Sequence, residues 1–270
     1  MGEQAVGWSS STGLACAPTR RAALLLALWE VLERDAFMIV WRNCLTVPRI
    51  VIDGNSSLHD VFTKHFVRPG LEFRLYSTEL DLPIATVFGV LIDHAQDPPA
   101  VIVGGAARPS PEKAVAKTLM ELAQGLSWAD TFSDRFFTVQ PGFENVRDFE
   151  DRVKLYAFNP LLHVFDALES GVEVPLSALP THAAAKEPAL LTAALAAQDL
   201  EVLAKDITTI DVNACGQYVV RVIVPGAEVM EADHRMPLLG GRRWSRVPRL
   251  LGRSPSPGHT VPNIYPHPYP

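Results

Sequence analysis

Glu30, Glu33 and Arg34 stand at i, i+3 and i+4 inside RRAALLLALWEVLERDAFMIVW (20–41), a stretch that is otherwise nearly all apolar. Carboxylates in apolar surroundings are costly unless they are paired or bind a cation. The i,i+4 spacing lets Glu30 pair with Arg34 on a solvated stripe, which is the commoner use of such spacing. That pairing leaves Glu33 without a partner. A second run, PEKAVAKTLMELAQGL (111–126), raises the same question, because Ala114, Lys117, Glu121 and Gln124 share one helical face. Either Lys117 and Glu121 form a pair in water, or Glu121 faces the first two acids. Three carboxylates meeting in an interior repel one another unless a cation neutralises them. Hard oxygen ligands suit magnesium, which usually arrives with phosphates. In QYVVRVIVPG (217–226), Gln217 and Arg221 are four apart and point to one face of a strand, with Val220 and Val222 on the other. An arginine there is a candidate for bidentate binding of phosphate or carboxylate. The competing reading is an edge-strand arginine in water.

These groups need two helices and a strand to position them. A helix is predicted from about 18 to about 43, with Pro18-Thr19 at its start and Pro48 as the next breaker. Being apolar nearly all round, it is expected to be buried. SLHDVFTKHF (57–66) reads as a short helix, and LEFRLYS (71–77), IATVFGVLID (84–93) and AVIVGGAA (100–107) as strands. Pro111 opens the second long helix. FEDRVKLYAF reads as helical and VEVPLSALPTHAAAKEP as loop, and PALLTAALAAQDLEVLAKDIT gives a helix and then a strand. The last forty residues are rich in Arg and Pro, and Arg235, Arg242, Arg243, Arg246, Arg249 and Arg253 form a local basic run. That run could steer an anion, although a solvated loop is the commoner explanation. Helices and strands interleave irregularly, which points to an α+β fold and not to a doubly wound parallel sheet.

With 270 residues, 48% of them hydrophobic, the chain can bury a sizeable core. A net charge of −6 argues against a nucleic-acid partner. Cys16, Cys44 and Cys215 lack metal-ligand spacing and read as thiols in a reducing compartment, so a cytoplasmic location is expected. The longest apolar stretch is broken by charges, which argues against a membrane span. The eight histidines show no HExxH-like spacing, and no Gly-rich phosphate loop or GxSxG elbow is present.

Taken together the pieces resemble the YcaO family. SSTGLACAPTRRAALLLALWEVLERDAFMIVW is similar to its SxxExxER helix, with Ala27 where serine is typical. AVAKTLMELAQ is similar to its Sx6E element, with Ala114 in place of serine and Gln124 where glutamine is frequent. QYVVR fits its Qx3R element. The tail NIYPHPYP resembles the proline-rich C-terminus (254–270) of members that make azoline rings in ribosomal peptides. The resemblance implies a YcaO-like catalytic domain over 1–270, an α+β fold with a mixed, largely antiparallel sheet packed with helices, that binds ATP and Mg2+. Glu30, Glu33 and Glu121 would hold the metal. Arg34 and Arg221 would hold phosphates or orient the acids, and Gln124 and Gln217 would bond the nucleotide or water around the ion. The carboxylate of Pro270 would be carried into the site for proton transfer. The implied reaction is ATP-dependent cyclodehydration of Cys, Ser or Thr in a ribosomally made precursor peptide. An E1-like or ThiF-like protein would bind the leader peptide, and homodimerisation stays open. Thioamide or amidine formation and ribosomal protein methylthiolation are alternatives within the family, and a non-catalytic, partner-binding subunit is one outside it. Only about ten residues precede SSTGLA, where relatives carry a sizeable segment, so the domain is expected to be incomplete at its N-terminus.

Overall fold

The computed structural model describes residues 10–133 and 135–269. The elements follow in the order β1 (Leu14–Ala17), α1 (Arg20–Arg42), β2 (Val47–Val51), α2 (His59–His65), β3 (Leu71–Ser77), β4 (Ala85–Asp93), β5 (Ala100–Arg108), α3 (Pro111–Ala129), α4 (Phe149–Phe158), β6 (Glu169–Pro175), α5 (Pro188–Ala196), β7 (Leu203–Asp206), α6 (Ile210–Ala214), β8 (Tyr218–Ile223) and α7 (Arg243–Leu250). They build two sheets. The larger has the order β5-β4-β3-β2-β6 and is antiparallel except for the β2–β6 pair. The smaller, β1-β8-β7, is antiparallel throughout. The α+β expectation holds.

Side-chain alternation in β4 and β5 separates two layers of core. Val87, Leu91, Ile102 and Ala106 turn to one face and pack on Ala114, Val115, Leu119 and Leu122 of α3. Phe88, Val90, Ile92, Val101 and Val103 turn to the other, against Phe37, Val40 and Trp41 of α1. With helices on both faces, every residue of β4 is buried, which explains its continuous apolar sequence.

α1 belongs to both sheets. Its N-terminal half, through Ala23, Leu28 and Leu32, packs with Val220 and Val222 of β8 and with Leu191 and Leu195 of α5. Its C-terminal half enters the core of the larger sheet. The helix begins at Thr19, whose Oγ1 accepts from Ala22 N at 3.1 Å, and closes at Asn43, whose Nδ2 donates to the Ile39 carbonyl at 2.8 Å. Glu30, Glu33 and Arg34 fall where the helix passes from one sheet to the other.

Several elements were not expected. The 169–175 segment, whose last four residues open the stretch read as loop, is β6, and its parallel partner is β2, which contains Pro48. α7 emerges from the Arg-rich stretch with Pro248 inside it, anchored by one arginine. The Arg243 guanidinium contacts Asp35 of α1 (2.8 Å) and Asp81 (2.8 Å), all three nearly buried. Arg243 is therefore a structural ion-pair partner and not an anion-steering group. Beside it, Arg42 of α1 holds Glu228 (2.6 Å) and Glu231 (3.0 Å). The proline-rich tail folds back into the protein. Pro266 to Tyr269 are buried, the Tyr156 hydroxyl donates to the Pro266 carbonyl (2.6 Å), and Trp41 Nε1 donates to the Tyr265 carbonyl (3.2 Å). No helix among the described residues is long and apolar enough to cross a membrane.

Candidate functional site

The face of α1 at the changeover between sheets, the start of β1, the end of β5 and one side of α3 enclose a cavity of about 570 Å3. Glu30, Glu33, Arg34, Glu121 and Gln124 line it, together with Arg108, Lys117 and Tyr269. Its size falls within the roughly 300–1,000 Å3 typical of small-molecule sites.

Both i,i+4 pairs suggested by spacing form, and they form on the cavity wall. Glu30 Oε1 meets Arg34 Nη2 at 3.0 Å, and its Oε2 accepts from the Gly13 N–H at 3.1 Å. Arg34 Nη1 donates to Thr12 Oγ1 at 2.6 Å. Glu121 Oε1 meets Lys117 Nζ at 3.0 Å, and its Oε2 accepts from the Gly105 N–H at 3.2 Å. Glu33 is left between them. Burial pushes its carboxyl up to about 8, and the charges of Glu121 and Glu30 add to the rise, while Arg34 and Arg108 oppose it. An acid at that value in a cleft marks a candidate functional site.

The three acids do not meet at one point. Among the described residues no three His, Cys, Asp or Glu side chains stand close enough to clasp a metal ion as they are. Glu30 is drawn to Arg34 and Gly13, and Glu121 to Lys117 and Gly105, so the acids share a cavity wall instead of a single centre.

Gln217 and Arg221 do not line this cavity. The pleat of β8 turns Val220 and Val222 onto α1 and Arg221 to the opposite face. Arg221 Nη1 donates to the Ser10 carbonyl at 2.6 Å and lines a second, mostly apolar cavity of about 380 Å3, with Thr12, Val31 and Met230. Gln217 Oε1 lies 3.9 Å from Cys16 Sγ near the surface. Pro270 lies outside the described residues. Tyr269 is buried beside the acids, stacked edge-on against Phe37 at 4.5 Å. Burial holds its phenol well above the ordinary range, and the charges of Glu33 and Glu121 reinforce this.

Two adjacent glycines admit these groups. A Cβ on Gly104 would stand 2.9 Å from the Glu121 Cβ, and one on Gly105 would stand 1.8 Å from the Tyr269 hydroxyl. Because successive residues face opposite sides of β5, Gly104 makes room for α3 and Gly105 for the tail. Gly105→Ala is expected to drive Tyr269 from its seat, at a cost of about 1–3 kcal/mol. Thermal unfolding would register the loss, and hydrogen exchange would show the tail loosened.

Sequence reasoning did not single out Arg108 or the glycine pair. The available signals were an arginine closing an otherwise apolar strand and two glycines inside it.

A model of the family described as YcaO cyclodehydratase, ATP- and Mg2+-binding, matches residues 1–228. The chain belongs to the YcaO family. An uncharacterised protein of Methanothermobacter thermautotrophicus is 29% identical over 231 residues, covering 83% of this chain and 57% of that protein. Among solved structures, a heterocyclase in complex with substrate and cofactor matches with a TM-score of 0.72 and 20% identity, over 91% of this chain and 31% of the other. The YcaO protein of Methanopyrus kandleri bound with AMPPCP and Mg2+ matches with a TM-score of 0.55 and 24% identity, over 84% and 57%. These structural likenesses establish the YcaO fold. This chain spans 57% of the length of its curated relative and about a third of the heterocyclase.

The cavity's own chemistry fits the two ligands of the family. Glu30, Glu33 and Glu121 offer hard carboxylate oxygens of the kind magnesium takes, and Arg34, Arg108 and Lys117 offer cations to phosphate.

Proposed function

We propose that this chain carries the nucleotide- and magnesium-binding part of an ATP-dependent peptide cyclodehydratase. The observation that supports this most is the single cavity in which Glu33 is buried beside Glu30 and Glu121, with three cations around it. Glu30, Glu33 and Glu121 would supply the ion's carboxylate ligands from α1 and α3, once Glu30 turns from Arg34 and Glu121 from Lys117. Arg34, tied to Thr12, presents its guanidinium to phosphate oxygens. Gln124, one turn beyond Glu121, hydrogen-bonds the nucleotide or the ion's water.

The substrate is a ribosomally made peptide in which a Cys, Ser or Thr side chain adds to the preceding amide carbonyl. When bound, Mg–ATP supplies the phosphoryl group with which the former amide oxygen departs as phosphate, leaving a thiazoline or oxazoline. The protein contributes positioning and charge neutralisation. The terminal carboxylate of Pro270, next in sequence to the cavity-lining Tyr269, moves the proton. Arg221, on the wall of the neighbouring cavity, would hold phosphate or orient the acids, and Gln217 would bond the nucleotide or water around the ion. An E1-like or ThiF-like protein delivers the precursor by its leader.

Two measurements test this reading. Isothermal titration of the chain with Mg–AMPPCP is expected to show saturable binding. A precursor peptide incubated with the chain, its delivery partner and Mg–ATP is expected to lose the mass of one water per ring. No heat at millimolar nucleotide, or a product that exchanges oxygen for sulfur, would sink it.

A further inference from the structure

Three cations stand on the wall of the acid cavity, and two are engaged. Arg34 is bound to Glu30 and Thr12, and Lys117 to Glu121. Arg108, the last residue of β5, has no ion pair among the described residues, and its guanidinium makes a hydrogen bond only to the neighbouring Ala107 carbonyl, at 2.7 Å. A guanidinium carries five N–H donors in a fixed fork, and the remaining donors of this half-buried one stay available at the cavity wall. Burial draws its pKa below the ordinary arginine range, with Glu33 and Glu121 working the other way.

The fork is also held in place. Its carbon lies over the Trp29 ring, 5.3 Å from the centroid. Trp29 is itself fixed, because its Nε1 donates to the Ala185 carbonyl at 3.0 Å. The result is a planar, preorganised cation that opens on the cavity beside Glu33 and Glu121. Phosphate oxygens are the anion whose geometry a planar fork matches in a pocket that also offers magnesium ligands.

We propose that Arg108 clamps the phosphate chain of the bound nucleotide beside the magnesium ligands, and that Trp29 is the positioning residue that aims it. This rests on the nucleotide-binding reading above. A counter-charge serving only to offset the acids would act on fold stability and would not discriminate between phosphate and nucleoside.

The test is isothermal titration of the full chain with Mg–AMPPCP and, separately, with adenosine. Arg108→Met is expected to weaken Mg–AMPPCP by roughly 10- to 100-fold and to leave adenosine unchanged. Arg108→Lys keeps the charge without the fork and is expected to fall between, by roughly 10-fold. It also carries the test if the methionine variant does not fold, which circular dichroism and a thermal melt would reveal. Trp29→Leu is expected to reproduce part of the loss with the charge intact. Equal affinity of wild type and both Arg108 variants for Mg–AMPPCP overturns the clamp and leaves the nucleotide reading standing, as does an equal loss for adenosine. A wild-type chain that binds no Mg–AMPPCP overturns both.

Discussion

Glu33→Gln is expected to weaken Mg–nucleotide binding by roughly 10- to 100-fold and, in the absence of ligand, to make the chain more stable at alkaline pH. The two effects have one origin. Folding buries the Glu33 carboxyl beside Glu121 and Glu30, so the folded chain keeps its proton up to about 8, whereas the ordinary value is 4.5. Between those values the folded state binds more protons than the unfolded one, and stability falls as pH rises. Below about 4.5 both states are protonated and nothing is lost; above about 8 both are ionised and the loss is complete. Its size is on the order of a few kcal/mol. Glutamine keeps the shape and removes the charge, so its urea midpoint should stay level where the wild-type midpoint drops. Calorimetry with Mg–AMPPCP measures the other half. A variant that binds nucleotide as tightly as wild type would remove Glu33 from the metal set.

Arg243→Met should be the most damaging single change to the fold, at about 3–5 kcal/mol. The guanidinium lies between Asp35, which is 1% exposed, and Asp81. Burial already holds the Asp35 carboxyl above its ordinary range even with Arg243 against it. Without the cation, Asp35 keeps only the backbone N–H of Glu228, which donates to it at 2.8 Å. Removing one partner of a buried pair is far costlier than replacing the pair with apolar groups. Asp35→Leu added to Arg243→Met should therefore recover part of the loss in a thermal melt. If the single variant melts with the wild type, the contact is not holding α7 to α1.

The long apolar helix, the three antiparallel strands from 71 to 108 and the Pro111 helix were legible because each carries a clear period or a clear punctuation mark. The acids were legible for the opposite reason, since Glu30, Glu33 and Glu121 break that period. What could not be read was mutual placement. Arg221 lies on the β8 face opposite Val220 and Val222 as its spacing requires, but Gln217 falls just before the strand, and only the packing of Val220 and Val222 with α1 decides which way Arg221 turns. β6 was hidden by Gly171 and Pro175, and its support comes from β2, more than a hundred residues earlier. Arg108 looked like an ordinary strand end, because its importance lies in its contact with Trp29 on α1 and in the nearby charges of Glu33 and Glu121. The proline-rich tail lacked any periodicity, and its burial depends on the space left by a residue with no side chain, Gly105.

Because α1 serves two sheets at once, its length is locked in phase. One residue inserted between Leu28 and Phe37 would rotate everything beyond it by about 100°. Either Leu28 and Leu32 would then lose β8, or Phe37 and Trp41 would lose β4. Loops elsewhere in the chain can lengthen at little energetic cost, but this segment tolerates neither insertion nor deletion. The angular offset among Glu30, Glu33 and Arg34 is thereby set by packing at both ends of the helix.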